Sequence, residues 1–341
     1  MNLKPVSGCQ SNLAVFYALT KPGDIIMALS IPDGGHISYR EFGGAGICGL
    51  KVLNFPFDRE EMNVDLEASF KIVKDTKPAL YLLGGSVILF PPPIKEIKEL
   101  TEVLGGYVVY DASHVLGLIA GKHFQEPFGE GADVIATSTH KTFPGPQGGM
   151  VLCKKHLAEK IDKAIFPGLV SNHHLHHVAG LAIALLEMEK FGVEYARQTI
   201  KNAKTLAESL YNHGFKVFCA HKGFTETHQV LIDVSMMGNG GSVAELLEKA
   251  NIICNKNLIP SDKVSQAENP SGIRLGTAEV TRLGMKESEM QQIADFIKQT
   301  LMDGKNPEKI AEKVKNFMKN FSVIHYCFNS KAKAYSYIKF Y

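Results

Sequence analysis

The sequence predicts an α/β protein: a mostly parallel sheet covered on both faces, followed by a smaller α+β domain. Three observations carry this. Four short runs, Ile25–Leu29, Pro78–Leu83, Gly106–Asp111 and Ala132–Thr137, are almost wholly apolar rather than alternating, as strands buried on both faces are. Helical patterns such as Pro93–Leu104 lie between them. After Phe166-Pro167-Gly168 the pattern restarts with long helical stretches and new strands.

Taken in order, Ser7-Gly8-Cys9-Gln10-Ser11-Asn12 reads as a small-residue turn and Leu13–Leu19 as an apolar helix. Pro22-Gly23-Asp24 stops that helix, and the first strand follows. Beyond Gly168, helix is expected over Leu175–Phe191 and again over Ala196–His213. Lys216-Val217-Phe218 and Gln229–Asp233 read as strands, Val243–Ala250 and Glu287–Met302 as helices. The expected domains are 1–190, which carries the large sheet, 191–305, and a basic amphipathic helix with an aromatic tail over 306–341.

Composition narrows the function classes. With 341 residues the chain can bury two cores, and 45% apolar with 21% charged residues is ordinary globular usage. A net charge of +2 gives no reason to expect nucleic acid or an acidic membrane surface as partner, so a small-molecule substrate is expected. Cys9, Cys48, Cys153, Cys219, Cys254 and Cys327 lack paired or zinc-type spacing, which fits reduced thiols in a cytoplasmic protein. No signal peptide and no run of membrane-span length is read.

The chemistry gathers at Ser138-Thr139-His140-Lys141-Thr142-Phe143-Pro144-Gly145-Pro146, directly after the run Val134-Ile135-Ala136-Thr137. Strand ends of open α/β sheets are where ligand sites are built. A lysine there is costly unless its amine is neutral or covalently used. A Schiff base with an aldehyde cofactor answers that cost, and pyridoxal phosphate is the usual one. Asp111 ends another buried run and reads either as a helix cap or as the carboxylate facing a pyridinium nitrogen. Ser7–Asn12 reads equally as a helix cap and as a phosphate cradle. His36, after Asp33-Gly34-Gly35, and His114 are either structural imidazoles or cofactor contacts. Arg274, flanked by glycines, is a surface residue or a carboxylate fork. His173 and His177 have i, i+4 helical spacing, but without an accompanying carboxylate or cysteine no metal is expected.

In combination, Pro5-Val6-Ser7-Gly8, Pro32-Asp33-Gly34-Gly35-His36, Asp111-Ala112-Ser113-His114, Thr139-His140-Lys141-Thr142, Phe166-Pro167-Gly168, Asn255-Lys256-Asn257 and Ser271-Gly272-Ile273-Arg274 resemble the serine hydroxymethyltransferase family over about residues 2 to 300. The resemblance implies a fold-type-I, aspartate aminotransferase-like transferase with a large domain of the seven-stranded type. It implies pyridoxal phosphate held covalently on Lys141 and tetrahydrofolate or a related pterin as co-substrate. Asp111 would pair with the pyridinium nitrogen, His36 stack on the ring, and His114 contact the ring hydroxyl. Ser7, Gly8 and Cys9 would bind the phosphate, with Ser86 and His140 near the cofactor. Arg274 would fork the substrate carboxylate, and Gly35 and Asn257 match folate-side positions. A homodimer is implied, with serine and glycine interconverted.

The chain departs from the family pattern at several points. The family carries an arm ahead of the Pro-x-Ser-Gly motif, with an essential glutamate and active-site tyrosines, and on this reading the chain lacks it. Cys9 stands where serine is usual, Ile88 where tyrosine is expected, and Leu169-Val170-Ser171-Asn172 where a glycine-rich loop is expected. Two alternatives stay open: a folate-independent aldolase or lyase on β-hydroxy amino acids, and a non-catalytic subunit or fragment that binds the cofactor.

Overall fold

The structure, a computed structural model, describes residues 1–329 and 331–334. The chain divides into two compact units, Met1–Glu189 and Lys190–Tyr341.

The first unit runs α1 (Gly8–Leu19), β1 (Ile25–Ala28), α2 (Gly44–Ile47), β2 (Lys51–Asn54), the hairpin β3 (Phe57–Asp58) and β4 (Asn63–Val64), and α3 (Leu66–Thr76). It continues β5 (Leu80–Gly84), α4 (Ile94–Leu104), β6 (Tyr107–Asp111), α5 (Leu116–Ala120), β7 (Val134–Ser138), β8 (Gly149–Cys153) and α6 (Ala158–Lys163). The sheet order is β2-β1-β5-β6-β7-β8, parallel throughout except that β8 runs antiparallel to β7. Every residue of β5, β6 and β7 is buried except the half-buried Tyr107, which is why these runs are apolar without alternation. The chain leaves β1 for β2 on one side and returns to β5 on the other, so a crevice opens at the carboxyl ends of β1 and β5. Phe16, Ile26, Tyr39, Leu82, Val109 and Val151 belong to the core between sheet and helices.

One expectation is corrected in this unit, and one strand was not foreseen. Six strands pair among the described residues of the mostly parallel sheet; the resemblance implies a seven-stranded type. Beyond β8, Asn2 bridges Val151 and Gly149 N donates to Pro5 O at 2.9 Å; Pro5 has no N–H with which to extend the pairing. Helix α1 starts at Gly8 rather than Leu13, since the Ser7 hydroxyl accepts from Gln10 N at 3.2 Å and turns the small-residue segment into the first helical turn. Strand β8 was not read from the sequence; it follows a Gly-Pro-rich turn.

Helix α7 (Leu175–Asn212) is continuous where two helices were expected. A glycine at 192 costs a helix only about 1 kcal/mol, and the adjoining turn carries Tyr195, which is buried.

In the second unit, β9 (Lys216–Val217), β10 (Gln229–Asp233), α8 (Gly240–Lys249), β11 (Asn255–Asn257), β12 (Gly272–Gly276), α9 (Ala278–Arg282), α10 (Glu287–Leu301) and α11 (Pro307–Met318) follow in order. The four strands form an antiparallel sheet, β11-β12-β10-β9. Leu210, Phe215, Ile232, Leu247, Ile273 and Ile297 pack in its core. Asn306 caps α11 and Pro307 opens it, while Ile310 and Val314 form its buried stripe. The aromatic tail read from the sequence lies partly outside the described residues.

Candidate active site

The carboxyl ends of the first unit's strands meet the N-terminus of α1 around a cavity of about 170 Å³. Helix α1 contributes Gly8, Cys9 and Asn12 together with its cap Ser7. The loop after β1 contributes His36, and the end of β5 contributes Gly85. Asp111, Ser113 and His114 come from the end of β6, and Ser138, His140 and Lys141 from the end of β7. Of the residues singled out in the sequence, Ser7, Gly8, Cys9, His36, Asp111, His114, His140 and Lys141 therefore share one cavity.

Each is positioned by its local backbone. The first intrahelical bond of α1 is Ser11 N to Ser7 O, so the amides of Gly8 and Cys9 precede it and offer donors at the positive helix end. Gly8 is needed there, since a Cβ would sit 2.9 Å from Ser113 Oγ and 3.2 Å from Ser138 N. Lys141 lies in a turn held from both sides: Thr139 Oγ1 donates to Pro146 O at 2.7 Å, and Thr142 Oγ1 to His114 O at 2.8 Å. Gly117 N in turn donates to Thr142 Oγ1.

Asp111 is 4% exposed and well supplied with donors. Its Oδ2 accepts from Tyr39 OH at 2.6 Å and Asn12 Nδ2 at 2.8 Å, and its Oδ1 from Ser113 N at 2.9 Å. Burial, then the Asp111 charge, holds the Tyr39 phenol well above its ordinary range, so Tyr39 is a donor. His36 Nδ1 accepts from Ser38 N at 3.2 Å and contacts Ser38 Oγ at 2.8 Å. Burial lowers the His36 pKa; the nearby Asp111 opposes this and Lys141 adds to it, so the ring is neutral at physiological pH. Burial and then Lys141 lower His140 likewise. Burial and then Asp111 push the Cys9 thiol up, away from thiolate character.

A model of the serine hydroxymethyltransferase family matches residues 1–297. The chain is 56% identical to a serine hydroxymethyltransferase of Methanocaldococcus jannaschii, over all of this chain and 80% of that protein. It is 51% identical to one of Archaeoglobus fulgidus, over 98% of this chain and 76% of that protein. The chain belongs to the serine hydroxymethyltransferase family. The solved L-threonine transaldolase of Pseudomonas fluorescens, in its internal aldimine state, superposes with a TM-score of 0.87 at 31% identity. That match covers 96% of this chain and 74% of the other. The fold is therefore fold type I, and pyridoxal phosphate is the family's cofactor.

The cavity fits that cofactor by its own chemistry. Helix-end amides and the Ser7 hydroxyl suit a phosphate, a buried carboxylate suits a cationic ring nitrogen, and a lysine suits an aldehyde.

Other expected residues lie outside the cavity lining. Ser86 N donates to Gly34 O at 2.7 Å, beside the lining Gly85. A Cβ on Gly35 would sit 2.1 Å from Leu29 O, so only glycine fits that turn. Arg274 and Asn257 belong to the second unit, on β12 and β11. Arg274 donates to Asn255 Oδ1 at 3.2 Å, and burial lowers its guanidinium from the usual range. His173 precedes α7 rather than lying on it, which corrects the helical pairing with His177. The rings of His174, His176 and His177 lie 4.4–5.5 Å apart, and among the described residues no group of three or more metal-ligating side chains is arranged to hold an ion.

Ser38 and Tyr39 were missed in the sequence, and Asn12 and Ser113 lay inside motifs read there but were given no role of their own. The available signal was a polar pair, Ser11-Asn12, on the buried face of an apolar helix.

Proposed function

We propose that this chain interconverts serine and glycine, passing the one-carbon unit to and from tetrahydrofolate or a related pterin. Family membership together with one cavity that gathers Lys141, Asp111 and His36 carries the reading. Bound pyridoxal phosphate supplies an electron sink for the charge left when a bond to the amino acid's α-carbon breaks. Lys141 would be the attachment point, and Asp111, which accepts three hydrogen bonds, would face the ring nitrogen. Neutral His36 would lie against the ring, and His114 would meet its hydroxyl. Ser7, Gly8 and Cys9 would hold the phosphate, with His140 and Ser86 beside it. Arg274 binds the substrate carboxylate by a bidentate fork, and Gly35 and Asn257 serve the pterin side.

The reading extends to a cytoplasmic homodimer. Among the described residues no cysteine is in a disulfide, which suits a reducing compartment. Tyr17, Ile37, Phe42 and Ile47 are exposed by 57–77% on the first unit, an apolar surface suited to a second copy. Sedimentation at twice the chain mass is expected; a monomer at micromolar concentration contradicts it.

The test of function is glycine formation from serine with and without tetrahydrofolate, beside glycine formation from threonine. Pterin-dependent turnover of serine at least tenfold above the pterin-free rate is expected. Turnover of threonine alone, indifferent to pterin, would move the chain to the aldolase reading.

A further inference from the structure

His36 and Asp111 are joined through the Ser38 hydroxyl and the Asn12 amide. Asn12 lies on the buried face of α1 and is 1% exposed. Its Nδ2 donates to Asp111 Oδ2 at 2.8 Å and to Ser38 Oγ at 3.2 Å. An amide nitrogen carries two hydrogens, so both are used. The amide cannot be turned over, because that would set its oxygen against a carboxylate oxygen. Ser38 Oγ, accepting from Asn12, keeps its own hydrogen for His36 Nδ1. The backbone N–H of Ser38 donates to the same ring nitrogen, so the proton of the neutral imidazole lies on Nε2.

On Asp111 the donors are unevenly shared. Oδ2 takes two, from Tyr39 and Asn12, and Oδ1 takes one, from Ser113 N. Oδ1 thus retains one acceptor direction. The arrangement has a cost: Asn12 Oδ1 is buried without a hydrogen-bond partner. A leucine of similar shape would fill the space without that cost, so packing alone does not account for an asparagine here.

We infer that Asn12 is a positioning residue: it locks His36 and Asp111 into one frame and leaves Asp111 Oδ1 as the oxygen that meets a cationic ring nitrogen. The inference rests on the pyridoxal phosphate reading above.

Tyr39, His36, Tyr110 and Cys9 sense the charge of Asp111, and Lys141 acts on His36 and His140. Burial holds both tyrosines well above their ordinary range, and burial likewise raises Cys9. These three therefore stay neutral as the enzyme is acidified, while burial opposes charging of His36 and His140.

The experiment follows bound cofactor by visible absorbance while wild-type, Asn12→Leu and Tyr39→Phe enzymes are titrated toward acid. A carboxylate that has lost a donor takes up a proton at higher pH and then ceases to pair with a cationic ring. The midpoint of cofactor release is expected to rise by about one pH unit in both variants. Cofactor affinity at neutral pH is expected to fall about tenfold in Asn12→Leu. A purely packing role would change the Tm of Asn12→Leu while leaving midpoint and affinity at wild-type values, and that result overturns the inference. Should Asn12→Leu fail to fold, Asn12→Ala, which removes the amide without adding bulk, is read by the same criteria. Wild-type enzyme without a bound-cofactor band would refute the pyridoxal phosphate reading itself. A band that titrates identically in wild type and the Asn12 variant refutes only the role of Asn12.

Discussion

Asp133 illustrates how single residues hold the strand ends in place. It is 3% exposed, and it accepts from Val108 N at 2.9 Å, Lys154 Nζ at 3.0 Å and Lys98 Nζ at 3.1 Å. Burial pushes its carboxyl up, but the Val108 N–H and the two lysines outweigh this and hold it below the ordinary value. A depressed folded value means that the unfolded chain binds the proton first. Its stabilisation is therefore complete above about pH 3.9 and is lost as the pH falls through the lowered folded value. Asp133→Asn is expected to cost about 2 kcal/mol at neutral pH, the lysines being partly exposed. Denaturant unfolding at pH 7 and at pH 3 checks this: the gap between wild type and variant should close toward acid, and a constant gap contradicts it. At this same scale the site was only half legible. Lys141 and Asp111 stand out because a charged residue ending a buried apolar run demands an explanation. Asn12 and Tyr39 do not, because their partner Asp111 lies 99 and 72 residues away and only the folded chain brings them together.

At the scale of elements, β5, β6 and β7 declared themselves because both faces are buried and the sequence needs no alternation. Strand β2 did not, since its half-exposed residues at the sheet edge carry no comparable pattern. Helix α1 was read short because glycine and cysteine are weak helix formers, and the local Ser7 cap overrides them. The junction of β5 with β6 is tight. Gly84 has φ of +90°, and a Cβ there would sit 2.2 Å from Asp111 O, displacing the strand that carries the carboxylate. Gly105 also has a positive φ, +86°, but faces open space. Gly84→Ala is expected to destabilise by about 3 kcal/mol or more and to weaken cofactor binding. Gly105→Ala, paying backbone strain alone, should cost about 1 kcal/mol. Paired thermal melts with cofactor titration check this, and equal losses in the two variants contradict the proposed contact.

For the whole molecule, the change of pattern after Gly168 was legible in the sequence, but the continuity of α7 through Gly192 was not, because a glycine inside a long helix reads as a break. The second unit carries Arg274 and Asn257 on an antiparallel sheet of its own, and the first gathers the cofactor-type residues at the ends of a parallel sheet. The assignment of function stands on the chemistry of that first cavity and on family membership over residues 1–297. Its central claim is that Lys141 carries the cofactor covalently. The direct measurement is borohydride reduction of the enzyme with pyridoxal phosphate, followed by proteolysis and mass spectrometry, in wild type and Lys141→Ala. A pyridoxyl mass is expected on the Lys141 peptide of the wild type, and no reducible adduct in the variant. An adduct that persists in Lys141→Ala, or that maps to a different lysine in the wild type, would contradict it.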